Sequence, residues 1–331
     1  MRQPKLKKGF YKGVAYAPVT CGELVQGQLN GLDFLVTCPL EIYSQVTVII
    51  ELDENQVPSG QEDFQGVELE RYPIEVISGQ QPSRLSKAIL AIRKTTALLD
   101  ILPRRAWLEL FCPVPAGKGM GSSTADIVAT ARATSLGLGQ PLTPWQLARL
   151  ALSIEPSDGV MFEGITLFDH RQGRVAFPLG KAPPAQILLF DFGGEVDTQE
   201  FNRLKNLTSL NKAKEKEVGA ALRKVISGLG KRSLNLLGEG ATGSTLAHQP
   251  ILPKKGLEEI TDTVLKMGAH GVICAHSGTI CGILFPLHAP RAKVQECERY
   301  LSGLGFGQFL GVARLEGNKN QMPGAKKGVF S

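Results

Sequence analysis

The sequence has no Cys-x-x-Cys pair. Its six cysteines, Cys21, Cys38, Cys112, Cys274, Cys281 and Cys297, are scattered, so buried free thiols are expected and neither a disulfide framework nor a zinc ribbon is. His170, His248, His270, His276 and His288 add no metal-ligand spacing. No run approaches the ~18 apolar residues that a membrane helix requires, and no apolar segment follows the basic start. No membrane partner is expected, and the expected location is cytoplasmic. Repeats and low-complexity tracts are absent. The formal charge of +6 suggests nucleic acid at first sight, yet Arg2, Lys5, Lys7, Lys8 and Lys12 with Lys319, Lys326 and Lys327 leave the body between them at −2. The basicity belongs to the tails, so no nucleic-acid partner is expected.

What is present describes a globular chain. With 331 residues, 43% hydrophobic and 21% charged, it can bury one large core or two ordinary ones. The most informative stretch is Pro115-Ala116-Gly117-Lys118-Gly119-Met120-Gly121-Ser122-Ser123-Thr124-Ala125. Before it, Ala106, Leu108, Leu110 and Cys112 alternate as in a half-buried strand. After it, Ala125, Val128, Ala129 and Leu136 recur at helical spacing, with Ser122 or Ser123 placed to cap the first turn. Alternate glycines let backbone approach a ligand, and a helix start offers free N–H groups and a positive dipole end to an anion. Phosphate is the natural guest; a plain glycine turn capped by serines is the bland alternative. The P-loop pattern fails, because Gly119 follows Lys118 and Cys112 stands where the first glycine belongs. The dinucleotide pattern is weak, with Ser122 or Thr124 in place of its last small residue.

Around this stretch the patterns predict a disordered lead over 1–12, a strand over 13–18, a polar turn over 21–27, an apolar stretch over 34–38 and a strand over 42–52. A charged loop follows to Glu70. Ser83 is placed to cap a helix carrying Leu85, Ala88, Ile89, Ile92 and Thr96, which ends near Asp100. Thr143-Pro144 opens another helix, running into Ser153-Ile154-Glu155-Pro156-Ser157-Asp158-Gly159. Pro183-Pro184 marks a domain boundary. Beyond it come a strand over 187–190, a helical region opened by an Asp197/Glu200 capping box and reaching Leu246, a helix over 257–267, and two strands within 271–285 joined by a tight Ser277-Gly278 turn.

Moving phosphate to a hydroxyl requires a phosphate cradle, a divalent metal and a positioned acceptor, and a base helps. Glu155, at a helix end, and Asp158, three residues on, supply carboxylates, and hard oxygen ligands suit magnesium. A solvated helix-end turn would explain those two acids equally well on composition alone.

The loop resembles the second motif of the GHMP kinases, Pro-x-x-x-Gly-Leu-Gly-Ser-Ser-Ala, with Met120 for leucine and Thr124 for alanine. The resemblance implies an α+β, two-domain GHMP kinase fold: a ribosomal-S5-like ATP-binding domain over 13–182 and a ferredoxin-like domain over 183–313, between basic tails at 1–12 and 314–331. It implies ATP held by Pro115, Gly117, Lys118, Gly119, Met120, Gly121, Ser122, Ser123 and Thr124, and Mg2+ held by Ser123 and Glu155. Asp158 then serves as base or substrate contact. The family's first motif, which binds the acceptor, is matched by Cys21-Gly22-Glu23-Leu24-Val25-Gln26-Gly27, nominating Cys21, Gly22, Glu23 and Gln26. It lacks the Gly-Glu-His-x-Asp ending of the galactokinases. The third motif is matched by Ser277-Gly278 with Cys281-Gly282. Within the family, the combination is most similar to the L-threonine kinases of cobalamin synthesis, over most of 13–313. It implies phosphorylation of a free amino acid, L-threonine. A kinase for homoserine or an isoprenoid alcohol, and a non-catalytic binding protein of the same fold, are the alternatives.

Overall fold

A computed structural model describes residues 6–53, 72–77, 82–194, 207–315 and 329–330. Two long strands, β1 (Gly9–Leu29) and β2 (Leu32–Leu52), carry the first sheet. Asn30 and Gly31 join them with φ of 50° and 77°, the double positive φ that a two-residue hairpin turn requires. Three features differ from the sequence expectation. The first strand begins at Gly9, inside the expected lead. The stretches at 34–38 and 42–52 belong to one strand. Residues 21–27 form no turn; they stay within β1, where the register against β2 shifts between Pro18 and Thr20, Thr20 and Glu23, and Glu23 and Val25. Bulges break the period-two pattern that a sequence reading needs while keeping the strand paired.

Five shorter strands complete this sheet: β3 (Ile74–Val76), β4 (Arg105–Phe111), β5 (Ile165–Phe168), β6 (Ala176–Gly180) and β11 (Val329–Phe330). The order is β11-β1-β2-β4-β3, with β5 also paired to β2 and β6 to β5. Helices α1 (Pro82–Leu98), α2 (Ser122–Gly137) and α3 (Pro144–Leu152) accompany it. The buried set Val46, Val48, Ile50, Leu108 and Leu110 meets Ala125, Val128 and Ala129 of α2 in one core. Thr143-Pro144 opens α3 as expected, and Thr143 caps it: its side chain accepts from Gln146 N–H, and the Gln146 side chain answers at Thr143 N–H, 2.9 Å.

A second, antiparallel sheet runs β10-β7-β9-β8, built from β7 (Ala185–Asp191), β8 (Gly271–Cys274), β9 (Ile280–Pro286) and β10 (Gln308–Arg314). One face, with Leu188, Phe190, Val272, Ile283 and Phe285, packs on α7 (Leu257–Lys266) and α8 (Arg291–Ser302). The other face, with Ile187, Leu189, Ile273 and Leu284, joins the core that includes β1. After β7 in sequence come α4 (Leu207–Ala213), α5 (Glu215–Gly230) and α6 (Leu234–Ala247); α5 and α6 pack on β1, and α6 also on β8. The architecture is α+β. The connection from β8 to β9, Ala275–Thr279, is longer than the tight turn expected. The expected charged loop to Glu70 and the Asp197/Glu200 capping box lie outside the described residues.

Candidate active site

The stretch 117–121 joins β4 to α2 and lies between β1 and the β8–β9 connection. Its carbonyls face the protein. Thr20 N–H donates to Met120 O (2.8 Å), Gly22 N–H to Gly119 O (3.2 Å), and the N–H groups of Thr279 and Ile280 both donate to Lys118 O (3.0 and 2.9 Å). Two glycines are obligatory here. Gly119 (φ 82°) would bring a Cβ to 2.3 Å from Ala275 Cβ, and Gly121 (φ 59°) to 2.4 Å from Asp158 Oδ2. Gly121, in the left-handed conformation, is the N-cap of α2, with no side-chain cap bond. The expected cap by Ser122 or Ser123 does not form, because α2 begins at Ser122 itself. The first-turn N–H groups of α2 have no intrahelical acceptors and add the positive end of the dipole.

The freed serine hydroxyl has another partner. Ser123 Oγ donates to Glu155 Oε1, and the Lys87 ammonium of α1 donates to Glu155 Oε2 at 2.6 Å and to Ser123 Oγ at 3.0 Å. Two hard oxygen donors thus stand side by side with a cation already between them, the arrangement that suits magnesium. Among the described residues no three His, Cys, Asp or Glu side chains form a closed metal cage; magnesium shared with phosphates needs only one or two protein carboxylates.

Asp158 is on the other side of Gly121. Its N–H donates to Thr124 Oγ1 (3.3 Å), and Oδ2 accepts weakly from Thr20 Oγ1 (3.5 Å). Desolvation pushes its carboxyl up to about 8, and the negative charges of Glu23 and Glu155 push the same way. Glu23 is buried too and is raised by desolvation, an effect opposed by the His276 N–H and by Lys254 and Lys214.

Glu23 anchors a buried polar network. Its Oε2 accepts from His276 N–H (3.0 Å) and from His276 Nδ1 (3.0 Å). Ser244 Oγ accepts from Gln26 N–H (3.2 Å) and donates to His276 Nε2 (3.2 Å). His248 Nε2 donates to His276 O (2.8 Å), and its Nδ1 accepts from Lys214 Nζ (2.9 Å). These tautomers require neutral imidazoles; desolvation holds both histidines well below their usual range, and the two lysines add to it. Lys214 Nζ also donates to Gln26 O (3.2 Å), and Lys254 Nζ donates to Ala275 O (2.9 Å).

The structure therefore brings Gly119, Gly121, Ser123, Thr124, Glu155, Asp158, Gly22 and Glu23 together. Ser277-Gly278 lies on the loop, where a Cβ at Gly278 would meet Gly119 Cα at 2.5 Å. Other candidates point elsewhere. The Met120 and Cys21 side chains are buried, with Cys21 Sγ against Gly282. Pro115 and Gly117 are exposed and Ser122 is buried. Gln26 contributes its main chain to the polar network. Lys118 turns to the second sheet, where Nζ pairs with Asp191 Oδ2 (3.0 Å) and donates to Gly194 O (2.7 Å). Sequence reasoning missed Lys87, Thr20, His276, Lys214 and Lys254. It also missed Arg84 of α1, whose guanidinium pairs with Asp126 of α2 (Nε–Oδ2 2.6 Å, Nη2–Oδ1 3.0 Å) and donates to Val114 O (2.9 Å) just before the loop.

Residues 84–163 match the family described as GHMP kinases N terminal domain. The chain is 32% identical over 280 residues to an L-threonine kinase of Salmonella typhimurium, covering 84% of each chain. It is also 32% identical over 273 residues to an L-threonine kinase of Citrobacter freundii, covering 82% of this chain and 85% of that one. The fold is similar to that of a homoserine kinase from Cytophaga hutchinsonii, with a TM-score of 0.65 at 17% identity, covering 96% of this chain and 98% of that one.

Proposed function

Because the chain belongs to the GHMP kinase family, we propose that it moves the γ-phosphoryl group of ATP to the side-chain hydroxyl of free L-threonine, giving ADP and O-phospho-L-threonine for the cobalamin linker. That it is an ATP-dependent kinase acting on an alcohol follows from its relatives; threonine, the linker pathway and the roles below are the proposal. The observation that carries it is the meeting at one helix start of a glycine cradle, the Ser123–Glu155 oxygen pair and the Asp158 carboxyl. Threonine is supported by the similarity to two L-threonine kinases over more than four-fifths of the chain.

In this reading the glycines and the first turn of α2 hold the nucleotide phosphates. Ser123 and Glu155 hold Mg2+, which when bound neutralises charge on the phosphates. Lys87 orients both oxygen donors and adds positive charge beside them. Asp158 takes the proton from the acceptor hydroxyl. A carboxyl raised into the neutral range is a competent base there, because its affinity for the proton approaches that of the medium. Glu23, on the same side, faces the acceptor ammonium.

The test is ADP release across L-threonine, L-serine, L-homoserine, mevalonate and galactose at fixed magnesium-ATP, with each product identified by mass. Threonine is expected to lead. Serine, lacking one methyl, should fall by about 10–200-fold in kcat/KM. Homoserine should fall further, because its hydroxyl is one carbon out of line. Preference for homoserine or a non-amino-acid alcohol overturns threonine, and no turnover with any acceptor favours a non-catalytic protein.

A further inference from the structure

Two lysines in the network around Glu23 have no role in the chemistry just described. Lys214 and Lys254 are 6% and 9% exposed. Among the described residues neither forms an ion pair with a carboxylate; the acid nearest in the network, Glu23, is bonded to His276 instead. Among the described residues the partners of the two ammonium groups are neutral: Gln26 O and His248 Nδ1 for Lys214, Ala275 O for Lys254. Burying an ammonium without a counter-ion is costly. Lys214 stands between the end of α4 and the start of α5, as the N-cap residue of the latter. Both lysines bond to the segments that flank the phosphate loop. Gln26 directly follows the bulged part of β1, and Ala275 is the residue that Gly119 and Gly22 leave room for. Both also act on the charge of Glu23.

We propose that Lys214 and Lys254 together bind the α-carboxylate of an amino-acid acceptor, so that the site selects a free amino acid over other alcohols. The inference rests on the amino-acid reading above and extends it. The acceptor carboxylate supplies the anion that the described residues do not, at two donors fixed by neutral partners. The ammonium is then left for Glu23, and the hydroxyl for Asp158.

The test compares L-threonine with L-threonine amide, which keeps the hydroxyl and ammonium and loses the carboxylate charge. The parent should favour L-threonine at least about tenfold in kcat/KM, the scale of a hydrogen bond to a charged group. Lys254→Met and Lys214→Met should raise KM for threonine about tenfold or more, leave KM for ATP unchanged, and bring the threonine-to-amide ratio towards one. Lys254→Arg should keep a preference for threonine. If a methionine variant fails to fold, Lys254→Gln and Lys214→Gln, which keep donors and lose charge, carry the same comparison. A parent that uses both acceptors equally, or variants that keep the parent's ratio, overturns the carboxylate site while leaving threonine phosphorylation standing. A parent that uses neither acceptor overturns the threonine reading and the carboxylate site with it.

Discussion

Two buried cationic sites flank the phosphate loop, and they are held in opposite ways. On one side Arg84 meets Asp126 with two nitrogen–oxygen bonds, Ser44 Oγ adds a third contact to the same carboxylate (2.5 Å), and Val114 O takes the remaining guanidinium donor. On the other, Lys214 and Lys254 meet only neutral groups among the described residues. The first pair contains its own counter-charge and ties α1, α2 and β2 to the strand that enters the loop. It is complete without ligand. The second leaves positive charge for something that arrives. The proposed carboxylate site thus divides the two: a buried charge satisfied within the chain for the fold, and one without a counter-charge for binding.

The sharpest break of that comparison is Arg84→Met. It strands the Asp126 carboxylate in the core, and urea denaturation should record a loss of about 3–5 kcal/mol, the cost of removing one partner of a buried ion pair. Lys254→Met in the ligand-free protein should lose nothing or gain, since it removes a buried charge without orphaning another. Losses of equal size in the two variants would erase the distinction. Next in size is Glu155→Gln. Turnover across a magnesium titration should fall about a hundredfold or more, as when a charge contact at the reacting phosphate is lost. The urea midpoint should move little, because its partner Lys87 is 32% exposed and can rehydrate. Ser123→Ala should act in the same direction, more mildly.

Smaller effects separate space from backbone. Gly121→Ala should cost about 1–3 kcal/mol of stability for a left-handed non-glycine residue, with turnover reduced further because the new methyl displaces Asp158. Gly117, at φ 74°, faces open space, so Gly117→Ala should show the backbone cost alone and keep more activity. The smallest effect is a slope. The Asp158 carboxyl is raised in the folded protein, so its protonated form is favoured by folding. The stability it contributes is present below the unfolded value near 3.8 and is lost as pH rises through about 8. Urea midpoints should therefore decline over that window in the parent and be flatter in Asp158→Asn, while parent kcat/KM rises with pH over its upper part. An identical pH slope in both proteins would remove Asp158 from that role.

The loop was legible because its glycines, serines and flanking patterns all lie within a few residues. The same holds for α3, whose capping box is written in Thr143, Pro144 and Gln146. The bulged middle of β1 was not, because a bulge destroys the alternation by which a strand is read; the glycine and polar residues at 21–27 looked like a turn. The network around Glu23 was hidden by distance: Glu23 and His276 are 253 residues apart in sequence, and Lys214 and Lys254 come from further elements again. Lys87 carried no signal, since a lysine beside the apolar face of a helix is ordinarily solvated. Asp126 stood two residues past the matched motif, and nothing in the sequence said that it would be buried against Arg84.

The proposed reaction is transfer of a phosphoryl group to the threonine hydroxyl at the Ser123–Glu155–Asp158 cluster. Phosphorus-31 NMR of the protein with ATP, magnesium and L-threonine tests it most directly. A phosphate monoester resonance should appear, coupled to the threonine β-proton, growing in step with ADP and absent with Glu155→Gln. ATP consumed only to free phosphate, or an ester forming with another acceptor while threonine stays unmodified, would contradict it.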